Sequence, residues 1–359
     1  MKKMVRTIFA LAMTAVMILG CAGCGGQTGG QSSGGGDASG GASVDDGKTY
    51  NLSWAGIGST DAIDTWIGEE AARRIAEKTD NHVVINVYPA SQLGDLTQAY
   101  DEIMAGTIDM GLFTVYGTYD IINEINFTCF LTSNLDEFRE VYAKDGFIYQ
   151  TLEQAQKDRG VTLMGFWPSG YLGLGFAKLS EGPDTLFDCT VKKSELLRVP
   201  GMDTMLASAQ ALGYNTTTIN YSDVYTSLQT GVCDGSWNGG AYANYQSFRD
   251  VLKYYVDYRV CNDVYSMVMN SEKLASMPAE YQEIITTTIN EVLDEGITKI
   301  GEQEDQSLQD MADYGIEIIV PTDEQRAEMK NYFVENVWPT FADMFGQENI
   351  DKLIEIATK

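Results

Sequence analysis

Twice along this chain the spacing of apolar residues switches between two periods, and that alternation restricts the fold to a narrow class. Tyr50, Leu52 and Trp54 alternate, as do Val83, Ile85 and Val87, so each run reads as a strand with one buried face. Between the runs, Trp66, Ile67, Ala71, Ile75 and Ala76 recur at helical spacing. After them Leu96, Ala99, Ile103 and Met104 do the same and are closed by Gly106. Ile108, Met110, Leu112 and Phe113 supply a third strand. A βαβαβ run demands a parallel sheet with right-handed crossovers, and ligands of such sheets bind beyond the carboxyl ends of the strands. Those ends are the turns at 56–61, 89–94 and 114–119.

The second half repeats the logic. Strands are expected at 196–199, 217–219 and 232–235, with helices at 202–212 and 221–230 between them. Residues 135–159 read as a helix and 161–167 as a fourth strand, ending at Pro168-Ser169-Gly170-Tyr171. Residues 172–177 cross out of the first half, and 264–269 return as a strand. Helical periodicity without internal caps over 278–311 suggests a beam spanning both halves. Residues 316–320 are strand-like, and Thr322-Asp323-Glu324-Gln325 opens a terminal helix. The reading is α/β with two lobes, each a mostly parallel sheet flanked by helices. Lobe I comprises 48–174 with 264–303, and lobe II comprises 175–263 with 304–359.

The N-terminus indicates a compartment. Lys2, Lys3 and Arg6 form a positive n-region, and residues 8–19 an apolar h-region too short to span a membrane. Ile18-Leu19-Gly20-Cys21 ends it in the manner of a bacterial lipoprotein signal peptide, with 1–20 removed and Cys21 carrying lipid. Cys24 is the alternative modified cysteine, and an ordinary secretory peptide cleaved nearby is the alternative leader. Residues 21–47 are mostly Gly, Ser, Ala and Asp, too polar to offset their ordering entropy, so they read as a flexible tether. The expected location is extracytoplasmic, lipid-anchored to the cell membrane.

Composition excludes several functions. A formal net charge of −27 argues against nucleic acid as partner. His82 is the single histidine, which leaves no multi-histidine zinc site and no H-E-x-x-H motif. Gly173-Leu174-Gly175 begins like a dinucleotide loop, but Lys178 stands where the third glycine belongs. No P-loop is present, and no carboxylate pair stands out as catalytic. The chain therefore reads as a binding protein, not an enzyme, and calls for no cofactor and no metal. Cys129, Cys189, Cys233 and Cys261 match no metal spacing; they read as buried free thiols, with one disulfide as the alternative.

Arg198, between an apolar strand and Val199-Pro200, stands out in a chain short of cations. A guanidinium offers a planar fork that fits a carboxylate bidentately and keeps its charge. The alternative is a structural ion pair with one of the many acids. One charge-assisted hydrogen bond contributes about 1.5–3 kcal/mol, whereas micromolar affinity needs about 8 kcal/mol, so Arg198 needs help from other groups. The candidates are Trp54, Trp167, Tyr171, Tyr221 and Trp237 as walls and Asn238 as an amide partner.

Two stretches then carry a family resemblance. Val84-Ile85-Asn86-Val87-Tyr88-Pro89-Ala90-Ser91-Gln92-Leu93-Gly94-Asp95, followed by Ile103-Met104-Ala105-Gly106-Thr107-Ile108-Asp109-Met110, resembles the first-lobe signature of TRAP (tripartite ATP-independent periplasmic) transporter solute-binding subunits. Arg198-Val199-Pro200, Ala211-Leu212-Gly213 and Asp223-Val224-Tyr225-Thr226-Ser227-Leu228-Gln229-Thr230-Gly231-Val232-Cys233-Asp234-Gly235 resemble the second-lobe signature, over about residues 50–345 in all. The resemblance implies a two-lobed periplasmic-binding-protein type fold that closes on a small organic acid. It also implies a long bridging helix, and delivery to TRAP membrane subunits driven by an ion gradient. It maps the family's carboxylate-pairing arginine onto Arg198 and a ligand contact onto Asn238. Trp237 departs from the usual Glu or Gln, Gly239 from Pro, and Cys233 from Val or Ile. An ABC-type substrate-binding lipoprotein and a ligand-presenting sensor remain as alternatives.

Overall fold

The alternation over 50–113 becomes three strands of one sheet: β1 (Tyr50–Gly56), β2 (Val83–Tyr88) and β3 (Met110–Phe113). The structure is a computed structural model that describes residues 47–358; the expected leader and the tether up to residue 46, with Cys21 and Cys24, lie outside that span. β1 pairs in parallel with both β2 and β3, as the crossover helices Ile63–Lys78 and Leu96–Ala105 require. Asp95 caps the second of these helices, accepting from the Gln98 amide at 2.9 Å.

The chain continues through β4 (Val161–Tyr171) and β5 (Leu174–Phe176), then β6 (Leu196–Val199), β7 (Asn215–Thr218) and β8 (Gly235–Trp237). It ends its strands with β9 (Tyr254–Val256), β10 (Asn262–Asn270) and β11 (Glu317–Ile319). The first sheet runs β2-β1-β3-β10-β4 and the second β11-β9-β5-β8-β6-β7. In each, a parallel βαβαβ unit survives as read from the sequence. β10 joins the first antiparallel to β3 and β4, and β5 joins the second antiparallel to β8 and β9. Both sheets are therefore mixed.

The chain changes sheet between β4 and β5 within Leu172-Gly173, where the Tyr255 hydroxyl leaves no room for a Cβ on Gly173. It returns between β9 and β10. The third connection is the helix Ala279–Tyr314, whose 36 residues span about 54 Å at 1.5 Å per residue. Ile285, Ile289, Val292 and Ile300 form its buried stripe, and Leu293 packs over Gly165 of β4. Met311 near its far end joins the cluster of Leu228, Phe248 and Tyr255 under the second sheet.

Three expected elements moved. The helix over 135–159 is two helices, Leu135–Val141 and Phe147–Lys157, because Gly146 is a poor helix former and becomes the N-cap of the second. The strand at 232–235 forms later, as β8. Gly231 closes the preceding helix at φ 73°, and the chain then turns outward with Val232 58% exposed before pairing begins. The terminal stretch, expected with lobe II, also reaches the first half: the Trp338 indole donates to the Cys129 carbonyl at 3.0 Å. An indole N–H buried there needs an acceptor, and that carbonyl supplies it. All four described cysteines are free thiols.

Two of the helices without a side-chain cap of their own are completed from distant segments. Asp203–Ala211 follows Met202, and Ala241–Phe248 follows Gly240, neither of which offers a side-chain acceptor. Glu124 supplies the first, taking the Thr204 amide and hydroxyl at 3.0 Å each. Glu304 of the long helix supplies the second, taking the amides of Ala241 at 3.0 Å and Tyr242 at 2.9 Å. A carboxylate at a helix N-terminus meets orphan N–H groups and the positive end of the dipole. Burial nevertheless raises both acids, Glu304 to about 7, although the amide bonds pull the other way.

Candidate functional site

The carboxyl ends of strands from both sheets converge on one cavity of about 730 Å³. Ile57, Gly58 and Ser59 follow β1, Ser91 follows β2, and Thr114 and Tyr116 follow β3. Arg198 and Pro200 come from the end of β6, and Trp237 and Asn238 from the end of β8. Strand ends collect there because the helices that follow each strand turn away and leave a crevice.

Arg198 is only 4% exposed, and its direction is imposed by three acceptors. Its Nε donates to the Ile219 carbonyl at 2.8 Å. Nη1 donates to the Trp237 carbonyl at 3.1 Å and to Asn238 Oδ1 at 3.2 Å. Ser236 Oγ also donates to Asn238 Oδ1, at 2.8 Å, which orients the amide with its oxygen toward the guanidinium. Among the described residues no carboxylate forms an ion pair with Arg198, and no hydrogen bond uses its Nη2. The structural ion pair weighed from sequence is therefore not formed. Burial lowers the guanidinium pKa from its ordinary value, with Tyr116, Tyr221 and Cys233 opposing that effect.

The first sheet supplies the facing wall. Across the β4–β10 ladder, Asn262 pairs with Tyr171 and Val264 with Pro168, so Ser169 and Gly170 together stand opposite Asp263 alone. That bulge breaks the ladder locally. Asp263 accepts from Ser169 Oγ at 2.7 Å and from Thr114 Oγ1 at 3.5 Å. Burial raises its carboxyl pKa against both bonds. Asp64 is raised by burial too, while its Oδ2 accepts the Gly58 amide at 2.9 Å. Trp167 and Tyr265 meet edge to face at 5.5 Å between ring centres and form the apolar part of this wall.

Five of the seven sequence candidates line the cavity: Arg198, Asn238, Trp237, Trp167 and Tyr221. Tyr221, 55% exposed, sits at the rim with its hydroxyl 3.4 Å from Ser247 Oγ. Trp237 is fully buried, and its indole N–H has no partner among the described residues. The other two are elsewhere. Trp54 shares the buried face of β1 and lies under the helix Ile63–Lys78, against Gly68. Tyr171 follows the extra residue of the bulge, which reverses the strand's facing, and it lies buried away from the cavity. Sequence reasoning missed Asp263, Tyr265, Ser169 and Tyr116. The available signal was a lone acid at the head of the apolar run Val264-Tyr265-Ser266-Met267-Val268-Met269. Among the described residues no group of three His, Cys, Asp or Glu side chains is placed to hold a metal ion.

Known proteins resemble this chain over most of its length. The pattern defining bacterial extracellular solute-binding proteins of family 7 matches residues 66–343. A solute-binding protein of Chromohalobacter salexigens is 28% identical over 192 residues, 52% of this chain and 54% of its own, so this match spans about half of that relative. The C4-dicarboxylate-binding periplasmic protein DctP of Rhodobacter capsulatus is 26% identical over 300 residues, 80% of this chain and 86% of its own. A TRAP periplasmic solute-binding protein of Desulfovibrio salexigens, solved with bound orotic acid, superposes with a TM-score of 0.75 at 21% identity. That superposition covers 86% of this chain and 98% of the other.

Proposed function

The chain belongs to the bacterial extracellular solute-binding proteins of family 7, and on that premise we propose that it captures a small organic carboxylate and delivers it to TRAP-type membrane subunits. The observation that carries this reading is Arg198, a buried cation on the cavity wall that no acid of the described chain neutralises. A carboxylate entering the cavity meets a preset guanidinium edge and loses little to reorganisation. Asn238 acts as a positioning residue for that edge, and Trp237, Trp167 and Tyr221 form the walls. The two sheets close on the ligand around their three connections. The relatives are solute-binding proteins rather than enzymes, and the family match does not favour an ABC-type receptor or a sensor.

Among the described residues no helix is long and apolar enough to cross a membrane. The leader-like sequence that ends at Cys21 supports attachment through lipid on that residue, with Cys24 as the alternative, at the outer face of the cell membrane. A thermal-shift screen over organic acids tests the function. A ligand at 100 times its Kd adds about 2.7 kcal/mol, which raises Tm by about four degrees for a folded region of about 310 residues. A screen in which no carboxylate stabilises the protein removes the reading.

A further inference from the structure

The cavity's charges do not balance for a simple anion. Arg198 is the one basic residue in its lining, against Asp61, Asp64, Asp95 and Asp263. Three of these acids have local work. Asp61 takes the Ser59 hydroxyl at 2.6 Å, Asp64 the Gly58 amide, and Asp95 caps a helix. Asp263 has only two hydroxyl donors, one of them at 3.5 Å, and no Lys or Arg of the described chain pairs with it.

Its position matters as much as its partners. A Cβ on Gly239 would lie 3.8 Å from Asp263 Oδ2. Gly239 follows Asn238, which holds Arg198. The Tyr116 phenol feels both charges, Asp263 raising its pKa and Arg198 lowering it, after the larger effect of burial. A cation and an anion thus look into one space from different sheets, with Trp167 and Tyr265 beside the anion.

A half-buried carboxylate with no cation beside it is costly to ionise, which is the direction in which burial shifts Asp263, and a ligand that brings a second carboxylate to it adds like-charge repulsion. A ligand that brings a cation removes the cost and rejects its uncharged analogues. We propose that the ligand is an amino acid in the broad sense: its carboxylate meets the open edge of Arg198, and its protonated amine meets Asp263. This rests on the reading of Arg198 as the carboxylate clamp, and it makes Asp263 the residue that decides specificity.

The test is calorimetry of the folded protein with matched probes. These are ω-amino acids of three to six carbons, the ω-hydroxy acids and diacids of the same lengths, and alanine, leucine and phenylalanine. The tightest binder is expected to be an amino acid, about tenfold or more tighter than the hydroxy acid or diacid of its length. Asp263→Asn and, separately, Asp263→Ser remove that preference while the far-ultraviolet circular dichroism stays that of the wild type. A wild-type protein that binds a diacid or hydroxy acid as tightly as any amino acid overturns the proposal and leaves the carboxylate reading standing. So does a preference that survives both substitutions. Failure of every probe to bind overturns the amino-acid proposal alone, whereas binding indifferent to Arg198→Ala overturns both.

Discussion

Arg198 and Asp263 face one cavity from two sheets, but the chain aims them by different means. Arg198 stands in regular register, paired with Thr217 of β7 and Ser236 of β8, and three acceptors hold its fork. Asp263 stands opposite an irregularity, where β4 spends two residues against one. The second sheet presents its charge through a preset network, and the first through a distortion steadied by two hydroxyls. A regular strand end with local acceptors makes a rigid contact. A bulge sets direction with few bonds and leaves more of the side chain's capacity for a ligand.

The largest expected effect breaks the rigid side. Arg198→Ala should weaken binding of the cognate carboxylate about 100-fold, in line with one or two charge-assisted hydrogen bonds. Arg198→Lys should recover little, because an ammonium cannot hold Ile219, Trp237 and Asn238 and still present a fork. Calorimetry on both variants decides this, and near-wild-type affinity in Arg198→Lys would reduce the network to a point charge.

A second test probes the seam where the long helix meets the second sheet. Folding raises the Glu304 carboxyl from 4.5 to about 7, burial being the main cause. The folded state therefore holds the proton more tightly than the unfolded one. Its contribution to stability is complete below about pH 4.5 and is lost as pH rises through about 7, on the order of 3 kcal/mol from the size of that shift. Urea unfolding between pH 4.5 and 8 should show Glu304→Gln with a flatter profile than wild type. Parallel profiles would mean that the two backbone amides already hold the carboxylate charged.

The smallest effect sharpens the contrast between the walls. Tyr171→Phe should leave ligand affinity within about twofold, since its buried ring lies outside the cavity lining and the substitution removes only a hydroxyl. A larger loss would place Tyr171 in the cavity and remove the reversal of facing assigned to the bulge.

What could be read without the structure follows the same divide. Both βαβαβ units, the long helix and the Arg198–Asn238 side depend on patterns within single elements and their neighbours in sequence, where periodicity and turn residues act locally. Trp54 was misplaced although its alternation with Leu52 already put it on the packed face of β1. Asp263 carried only the signal of a lone acid heading an apolar run, and its meeting with Ser169 was not legible, because the pairing of β10 with β4 joins segments about 90 residues apart and the bulge exists only once they meet. No local signal announces an extra residue in a ladder not yet formed.

The borrowed caps at Thr204 and at Ala241 and Tyr242 have a consequence for how the protein comes apart. Each of these helices has an end completed only when a carboxylate from a distant segment docks on it. Removing a cap costs about 1 kcal/mol. Neither helix is fully stable by itself, and separation of the docked segments loosens both at once. Such mutual dependence favours a single cooperative unfolding transition over two successive ones.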